Sequence, residues 1–195
     1  FRSRVITHVL GADQALIAAQ VAERAKRPVC MVLPTHQMCE TMAADLQFFI
    51  GDGSRDTAIF PPYHILPFKQ IAYHNETAAR RIHLLYRLAV NTADNLILLL
   101  PAETLLQRLI PKSILTGYAE LVMAGEDLDR DAFIAHLHAG GYSHTALVEE
   151  PGEYAVRGGI VDVFSPMYTQ PVRIELFGDS VDELRFFSPN TQRQT

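Results

Sequence analysis

Two stretches of five uninterrupted apolar residues, Val29-Cys30-Met31-Val32-Leu33 and Leu96-Ile97-Leu98-Leu99-Leu100, limit what the chain can fold into. Each has the length of a strand, and neither alternates with polar residues. That is the pattern of strands buried on both faces, as in a parallel sheet covered by helices. Helical patterns lie between the strand patterns. Asp13 to Lys26 is Ala-rich and closed by Pro28, Thr35 to Ile50 stops at Gly51, and Thr77 to Val90 carries Ile82, Leu85, Tyr86 and Ala89 on one face. Short apolar runs at Val5 to Leu10 and Ala58 to Phe60 read as further strands, and Ala102 to Leu109 as a short helix before Pro111. Strand and helix in alternation predict an α/β fold with a covered parallel sheet.

After Pro111 the texture changes. Leu121 to Met123 reads as a strand and Asp129 to Ala139 as a helix with an acidic start and a Gly140-Gly141 stop. Strand patterns follow at Thr145 to Val148, Tyr154 to Phe164, Val172 to Phe177 and Val181 to Phe187, separated by short turns. Closely spaced strands pair antiparallel. The reading is two domains, residues 1–117 and a smaller α+β domain with an antiparallel sheet over residues 118–195.

Composition excludes several functions. With 17 Lys+Arg against 22 Asp+Glu the formal charge is -5, a poor balance for neutralising phosphates. Arg80, Arg81 and Arg87 form a basic stripe that a DNA-binding reading would use, but on an amphipathic helix such a stripe is more often its wet edge. No run approaches the roughly 20 apolar residues that span a bilayer, so no membrane contact is expected. No charged-then-apolar leader opens the chain, which points to a cytoplasmic location. The first residue is Phe1, not Met, and the chain reads as a piece of a longer polypeptide. Cys30 and Cys39 match no redox or zinc spacing and read as buried free thiols. His136 and His138 would point about 200° apart on a helix, and with His144 they form no ligand set; no metal and no cofactor is expected.

The first strand–helix junction is where a phosphate-binding loop belongs. A working loop reads GxxxxGK[ST], with glycines for close backbone approach, Lys for charge and a hydroxyl for magnesium. Here the octet is His8-Val9-Leu10-Gly11-Ala12-Asp13-Gln14-Ala15. Gly11 survives, but Asp13 stands at the second glycine, Gln14 at the lysine and Ala15 at the hydroxyl. The cation is gone and an anion has been added, so no nucleotide binding is expected. Nor is there a GxSxG or CxxC. Glu149, Glu150 and Glu153 read as a solvated rim, and Tyr63 and Phe68 as parts of a loop packed on the domain.

One strand stands out. In P-V-R-I-E-L-F-G (Pro171 to Gly178) alternation puts Val172, Ile174 and Leu176 on one face and Arg173, Glu175 and Phe177 on the other. If the aliphatic trio faces the core, Phe177 and Arg173 face out. Arg157, on the preceding strand pattern with Gly158-Gly159 as a bulge, projects from the same sheet. Asp162 is a partner for either guanidinium. Arg beside an exposed aromatic is a pairing enriched at binding hot spots. Burial of Phe177 under a neighbouring segment is an equally weighted reading from spacing alone.

The motifs G-E-Y-A-V-R-G-G-I-V-D-V-F-S-P (Gly152 to Pro166), P-V-R-I-E-L-F-G-D (Pro171 to Asp179) and S-P-N-T-Q-R (Ser188 to Arg193) resemble the module shared by the UvrB and transcription-repair coupling factor (Mfd) families. So do L-P-F (Leu66 to Phe68), R-R-I-H-L-L-Y-R-L (Arg80 to Leu88) and L-V-E-E-P-G-E-Y (Leu147 to Tyr154). Gln14 at the lysine position favours the nucleotide-free N-terminal region of the coupling factors over the alternative, a UvrB-type excision-repair ATPase. The resemblance implies a degenerate ATPase-like domain followed by a UvrA-binding domain, and a non-catalytic role in bringing excision repair to stalled RNA polymerase. It maps UvrA contact to Arg157, Arg173 and Phe177. It implies that RNA polymerase and DNA are engaged only by parts of the parent chain absent here, where an ATP-driven translocase resides.

Overall fold

The computed structural model describes residues 5–51, 55–63 and 75–194. The Leu66 to Phe68 motif, and with it Phe68, lies outside the described residues. Two compact units divide the chain, one drawn from Phe1–His64 and Val90–Leu109, the other from Ile65–Ala89 and Ile110–Thr195.

The first unit contains helix α1 (Ala12–Arg24), strand β1 (Val29–Leu33), helix α2 (His36–Ile50), strands β2 (Asp56–Ile59) and β3 (Leu96–Pro101), and a 3₁₀ turn at Ala102–Leu106. The sheet order is β1-β3-β2 with both pairs parallel. Four alanines at i, i+3, i+4 and i+7, Ala15, Ala18, Ala19 and Ala22, line the buried stripe of α1 and cluster with Cys39, Met42 and Leu46 of α2 and Ile97 and Leu99 of β3. Thr35 caps α2, its hydroxyl accepting from the Met38 N–H at 3.2 Å. Arg55 closes the other end of α1: Nη2 donates to the carbonyls of Ala22 and Ala25, and Nη1 to that of Asp94 at 2.7 Å.

Three expectations change here. The Leu96 to Leu100 run is buried almost throughout, but β1 is an edge strand whose Cys30 and Val32 are exposed. An edge strand needs only one apolar face, so Val29, Met31 and Leu33 pack and the intervening pair does not. Cys30 is therefore not a buried thiol, whereas Cys39 is buried. Val5 to Leu10 forms no strand, and Val5, Ile6 and Leu10 are exposed. An apolar run becomes a strand only where a neighbour completes its ladder, and among the described residues none pairs with it.

The second unit contains α3 (Asn75–Ala89), α4 (Lys112–Gly117), α5 (Arg130–Ala139) and strands β4 (Ser143–His144), β5 (Glu153–Arg157), β6 (Ile160–Val163), β7 (Val172–Phe177) and β8 (Ser180–Phe186). The sheet runs β4-β5-β6-β7-β8, antiparallel except for the parallel β4–β5 pair. Phe133 and Leu137 of α5 lie in one buried cluster with Tyr154, Val161, Val163, Ile174 and Val181. Asp129 caps α5, its carboxylate accepting from the N–H groups of Asp131 and Ala132.

Tyr154 to Phe164 is not one bulged strand but the β5–β6 hairpin, turning at Gly158-Gly159. Gly158 has φ 60°, and a Cβ on Gly159 would sit 2.8 Å from the Leu176 carbonyl oxygen, so the pair serves a tight turn against β7. Leu121 to Met123 and Thr145 to Val148 are not strands. The edge of β8 is instead met by Gly125 to Leu128, through Gly125 N–H to Val181 and Leu128 N–H to Asp179. Arg81 is no wet edge: it is 2% exposed, while Arg80 is exposed and pairs with Glu76 one turn earlier at 2.6 Å.

Candidate functional site

The degenerate loop leads into α1 without a strand before it. Gly11, at φ 57°, precedes α1, and Asp13 lies in the helix's first turn. Gln14 Nε2 donates to the Val9 carbonyl at 3.0 Å, so the side chain at the lysine position folds back onto its own loop. Ala15 is fully buried in the α1–α2 core. Phosphate binding through this turn would need donors pointing outward; the amide of Gln14 is engaged and Asp13 opposes an anion.

The other catalytic candidates resolve into packing and turns. Glu149 and Glu150 are exposed, as a solvated rim would be, and half-buried Glu153 orders the turn, its Oε2 accepting from their N–H groups at 2.8 and 2.9 Å. Glu150 in turn accepts from Asn75 Nδ2 at 2.9 Å. Tyr63 is held by reciprocal bonds between its backbone and the Gln107 amide. His136 stacks near Tyr118 and His144 near Tyr154, and among the described residues no group of three or more His, Cys, Asp or Glu is placed to hold a metal ion. No helix among the described residues is long and apolar enough to cross a membrane.

The face of the second sheet opposite α5 is where the singled-out residues meet. The register sets Ala155 against Asp162 and Asp162 against Arg173, so these three share one row across β5, β6 and β7. Arg157 and Glu175 flank the next row, with Ile160 between them. Asp162 is fully buried. Its Oδ1 accepts from Arg173 Nε at 2.7 Å, and its Oδ2 from Arg173 Nη2 at 2.8 Å and also from Arg157 Nη2. The structure thus brings both predicted guanidiniums onto one carboxylate. The hydrogen bond to Asp162 pushes the Arg173 guanidinium further above its ordinary range, against the opposing effect of burial.

Phe177 stands apart from that cluster at the end of β7. It is 85% exposed, the opposite of burial under a neighbouring segment. Gly178 turns the chain directly after it at φ 64°, and a hollow of about 300 Å³ beside it is lined by Asp129, Arg130, Asp131, Gly159, Leu176, Gly178 and Asp179.

Two sets of residues on this face escaped the sequence reading. Phe187 is 1% exposed, and the Arg173 guanidinium lies 4.7 Å above its ring. Its position ten residues beyond Phe177 in another strand pattern gave no signal that the two share a face. Arg185 pairs with Glu175 and, at 3.2 Å, with Glu183. Plain alternation would have put Glu183 and Arg185 on the side of Val181, in the core under α5; the register shift between Glu175 and Leu176 is what brings them to the side of Glu175, and nothing in the spacing announces it.

Comparison with known proteins places this module. Residues 121–195 match the family described as the UvrB interaction domain. The chain is 33% identical over 190 residues to the transcription-repair-coupling factor of Escherichia coli (strain K12), a match covering 97% of this chain and 16% of that protein. It is 32% identical over 187 residues to that of Myxococcus xanthus, covering 94% and 16%. Against that of Bacillus subtilis (strain 168) identity is 24% over 192 residues, covering 98% and 16%. The chain spans about a sixth of the length of these curated relatives.

Proposed function

Because the chain belongs to the transcription-repair-coupling factor family and carries its UvrB interaction domain, we propose that it is a non-catalytic adaptor that binds UvrA and so links nucleotide excision repair to stalled RNA polymerase. The binding module is the α+β domain over residues 118–195, a span supported by the family match from residue 121. Arg157 and Arg173 supply its charged part and Phe177 its apolar anchor. The observation that carries the reading is the exposure of the Phe177 ring on a sheet whose own core is complete without it. An unpartnered aromatic on the same sheet face as a half-exposed guanidinium suits a partner offering an apolar pocket and, a short distance away, carboxylates.

The first unit supports this reading by what its loop has lost. With Gln14 bonded to Val9 and Ala15 in the core, it acts as scaffold, without nucleotide hydrolysis. Polymerase release, DNA translocation and ATP hydrolysis are assigned to the larger part of the family chain outside these 195 residues, and the whole acts in the cytoplasm.

The test is direct. Purified UvrA binds the 195-residue chain, and the triple substitution Arg157→Ala, Arg173→Ala, Phe177→Ala abolishes retention in a pull-down while the protein stays folded. Retention of UvrA by the triple variant overturns the site. ATP leaves the melting temperature of the chain unchanged; a rise would restore the nucleotide-binding alternative.

A further inference from the structure

The two guanidiniums of the proposed site are held in different ways. Arg173 is 16% exposed through its side chain, makes a two-point contact with Asp162 and has its guanidinium carbon 4.7 Å from the centre of the Phe187 ring. Its carboxylate and its ring both lie within the module. Arg157 touches Asp162 through Nη2 alone, and its side chain is 46% exposed. Of the five N–H donors a guanidinium carries, four remain for an outside acceptor.

Charge leads the same way. Asp162 is completely buried, and an ionised carboxylate there must be neutralised by close cations. Arg173 does so from within the sheet. The trio of two guanidiniums and one carboxylate then keeps one net positive charge, which reaches the surface at Arg157. Arg185, the cross-strand neighbour of Arg173, is engaged by Glu175 and Glu183 and does not supply that charge.

Resting on the adaptor reading above, we infer that Arg157 and Phe177 are the groups that touch the partner, and that Arg173 is a positioning residue which neutralises Asp162 so that Arg157 is left to reach outward. Remove Arg173, and Asp162 has one cation left within reach. Arg157 is then drawn from a one-point to a two-point contact and withdraws from the surface. Remove Asp162 as well, and nothing holds Arg157 back. Strand spacing of about 4.8 Å and a rise of about 3.3 Å per residue put the Cα atoms of Arg157 and Phe177 roughly 12 Å apart, a span one short partner segment covers.

The experiment compares the wild-type chain, Arg173→Met, and the paired apolar replacement Asp162→Val with Arg173→Met. Apolar replacement of a buried ionic cluster is well tolerated when all members go together. Two measurements are made on each: the side-chain Nε–H resonance of Arg157, and the affinity for purified UvrA. In Arg173→Met the Arg157 Nε–H shifts and exchanges more slowly with solvent, and the Kd for UvrA rises about tenfold or more, the loss of at least one hot-spot contact. In the paired variant the resonance returns to fast exchange and the Kd recovers most of that loss. A paired variant that binds as weakly as Arg173→Met overturns the inference, since Arg173 then contacts UvrA itself. An Arg157 resonance unmoved by Arg173→Met overturns it too. Should the wild-type chain fail to bind UvrA, the adaptor reading falls, and the resonance alone decides whether Arg173 positions Arg157. Asp162→Asn with Arg173→Met replaces the paired variant if a lowered melting temperature shows that Asp162→Val is not accommodated.

Discussion

Phe177 and Phe187 are ten residues apart in sequence, and replacing each with Ala should have opposite consequences. A phenylalanine ring offers about 150–250 Å² of surface for burial. At 85% exposure almost all of it is still open in Phe177. Covering that remainder at about 25 cal/mol per Å² is worth roughly 3–5 kcal/mol. Ordering the side chain costs about 0.5–1.5 kcal/mol, which leaves about 1.5–4.5 kcal/mol. That range corresponds to a roughly 10- to 2,000-fold loss of UvrA affinity in Phe177→Ala. The same substitution removes almost no folded contact, so stability should stay within about 0.5 kcal/mol and the melting temperature within about 2 °C. Phe187 is 1% exposed, shares a cluster with Val148, Ala155 and Phe164, and supports Arg173. Phe187→Ala should cost about 3–5 kcal/mol of folding stability, a fall in melting temperature of about 6 °C or more. The assays are thermal unfolding followed by circular dichroism, and titration calorimetry with purified UvrA. If Phe177→Ala lowers the melting temperature as Phe187→Ala does, the ring is a core residue and the reasoning fails. If it changes neither stability nor affinity, the exposed ring is not a binding anchor.

Four further outcomes follow from the packing. Arg55→Met strips the last turn of α1 of its cap and should lower the urea midpoint of the first unit by the equivalent of about 1–3 kcal/mol; an unchanged midpoint would show that the three carbonyls are satisfied without it. Gly159→Ala drives a methyl to 2.8 Å from the Leu176 carbonyl oxygen and should destabilise the second unit by about 1–3 kcal/mol, whereas Gly178→Ala meets no neighbour and should cost only about 1–2 kcal/mol for its left-handed backbone. Asp129→Ala removes the N-cap of α5 at a cost of about 1 kcal/mol, measured by equilibrium unfolding. Burial, reinforced by the Glu40 carboxylate, pushes the Cys39 thiol above its ordinary value of 9.0, so the folded state holds that proton more tightly than the unfolded chain. Its contribution to stability is complete below pH 9 and is lost as pH rises through the folded value, and Cys39→Ala should flatten the fall in urea midpoint over that alkaline range.

Much of the architecture was readable because local pattern and global fold agree. The Leu96 to Leu100 run sits at the centre of a parallel sheet, and the Ala-rich stretch makes the small-residue stripe of α1. Two of the misses depended on a partner distant in sequence, and the third on a local choice between two turns. Val5 to Leu10 lacks a ladder, Val29 to Leu33 lies at an edge, and Gly158-Gly159 suits a bulge and a hairpin turn equally. What separates the last two is whether the following residues pair back on the preceding ones, as Arg157 does with Ile160. The face assignment survived that error. Ala155 opposes Asp162 and Asp162 opposes Arg173, so reversing the chain at the glycines still leaves Arg157, two residues from Ala155, on the side that Arg173 occupies.

Alternation identifies a face but says nothing of its depth, and depth is what divides this one. Arg173 and Phe177 are four residues apart on one side of β7, yet one is almost covered and the other almost bare. The covering comes from elsewhere in the chain. Val148 and Phe187 close over the end of the face that holds Asp162 and Arg173. They are tied together by Gln192, whose Nε2 donates to the carbonyls of Val148 and Pro189, while Ser188 and Arg193 close the turn between them. The S-P-N-T-Q-R motif therefore acts on the site at one remove. It seats the ring under Arg173, Arg173 neutralises Asp162, and Asp162 sets how far Arg157 extends. Phe177 lies past the end of that cover, where β7 turns at Gly178. A strand with one end roofed by its own module and the other open has its charge fixed from within and its apolar anchor offered outward, and the proposed docking surface rests on that gradient more than on any single residue.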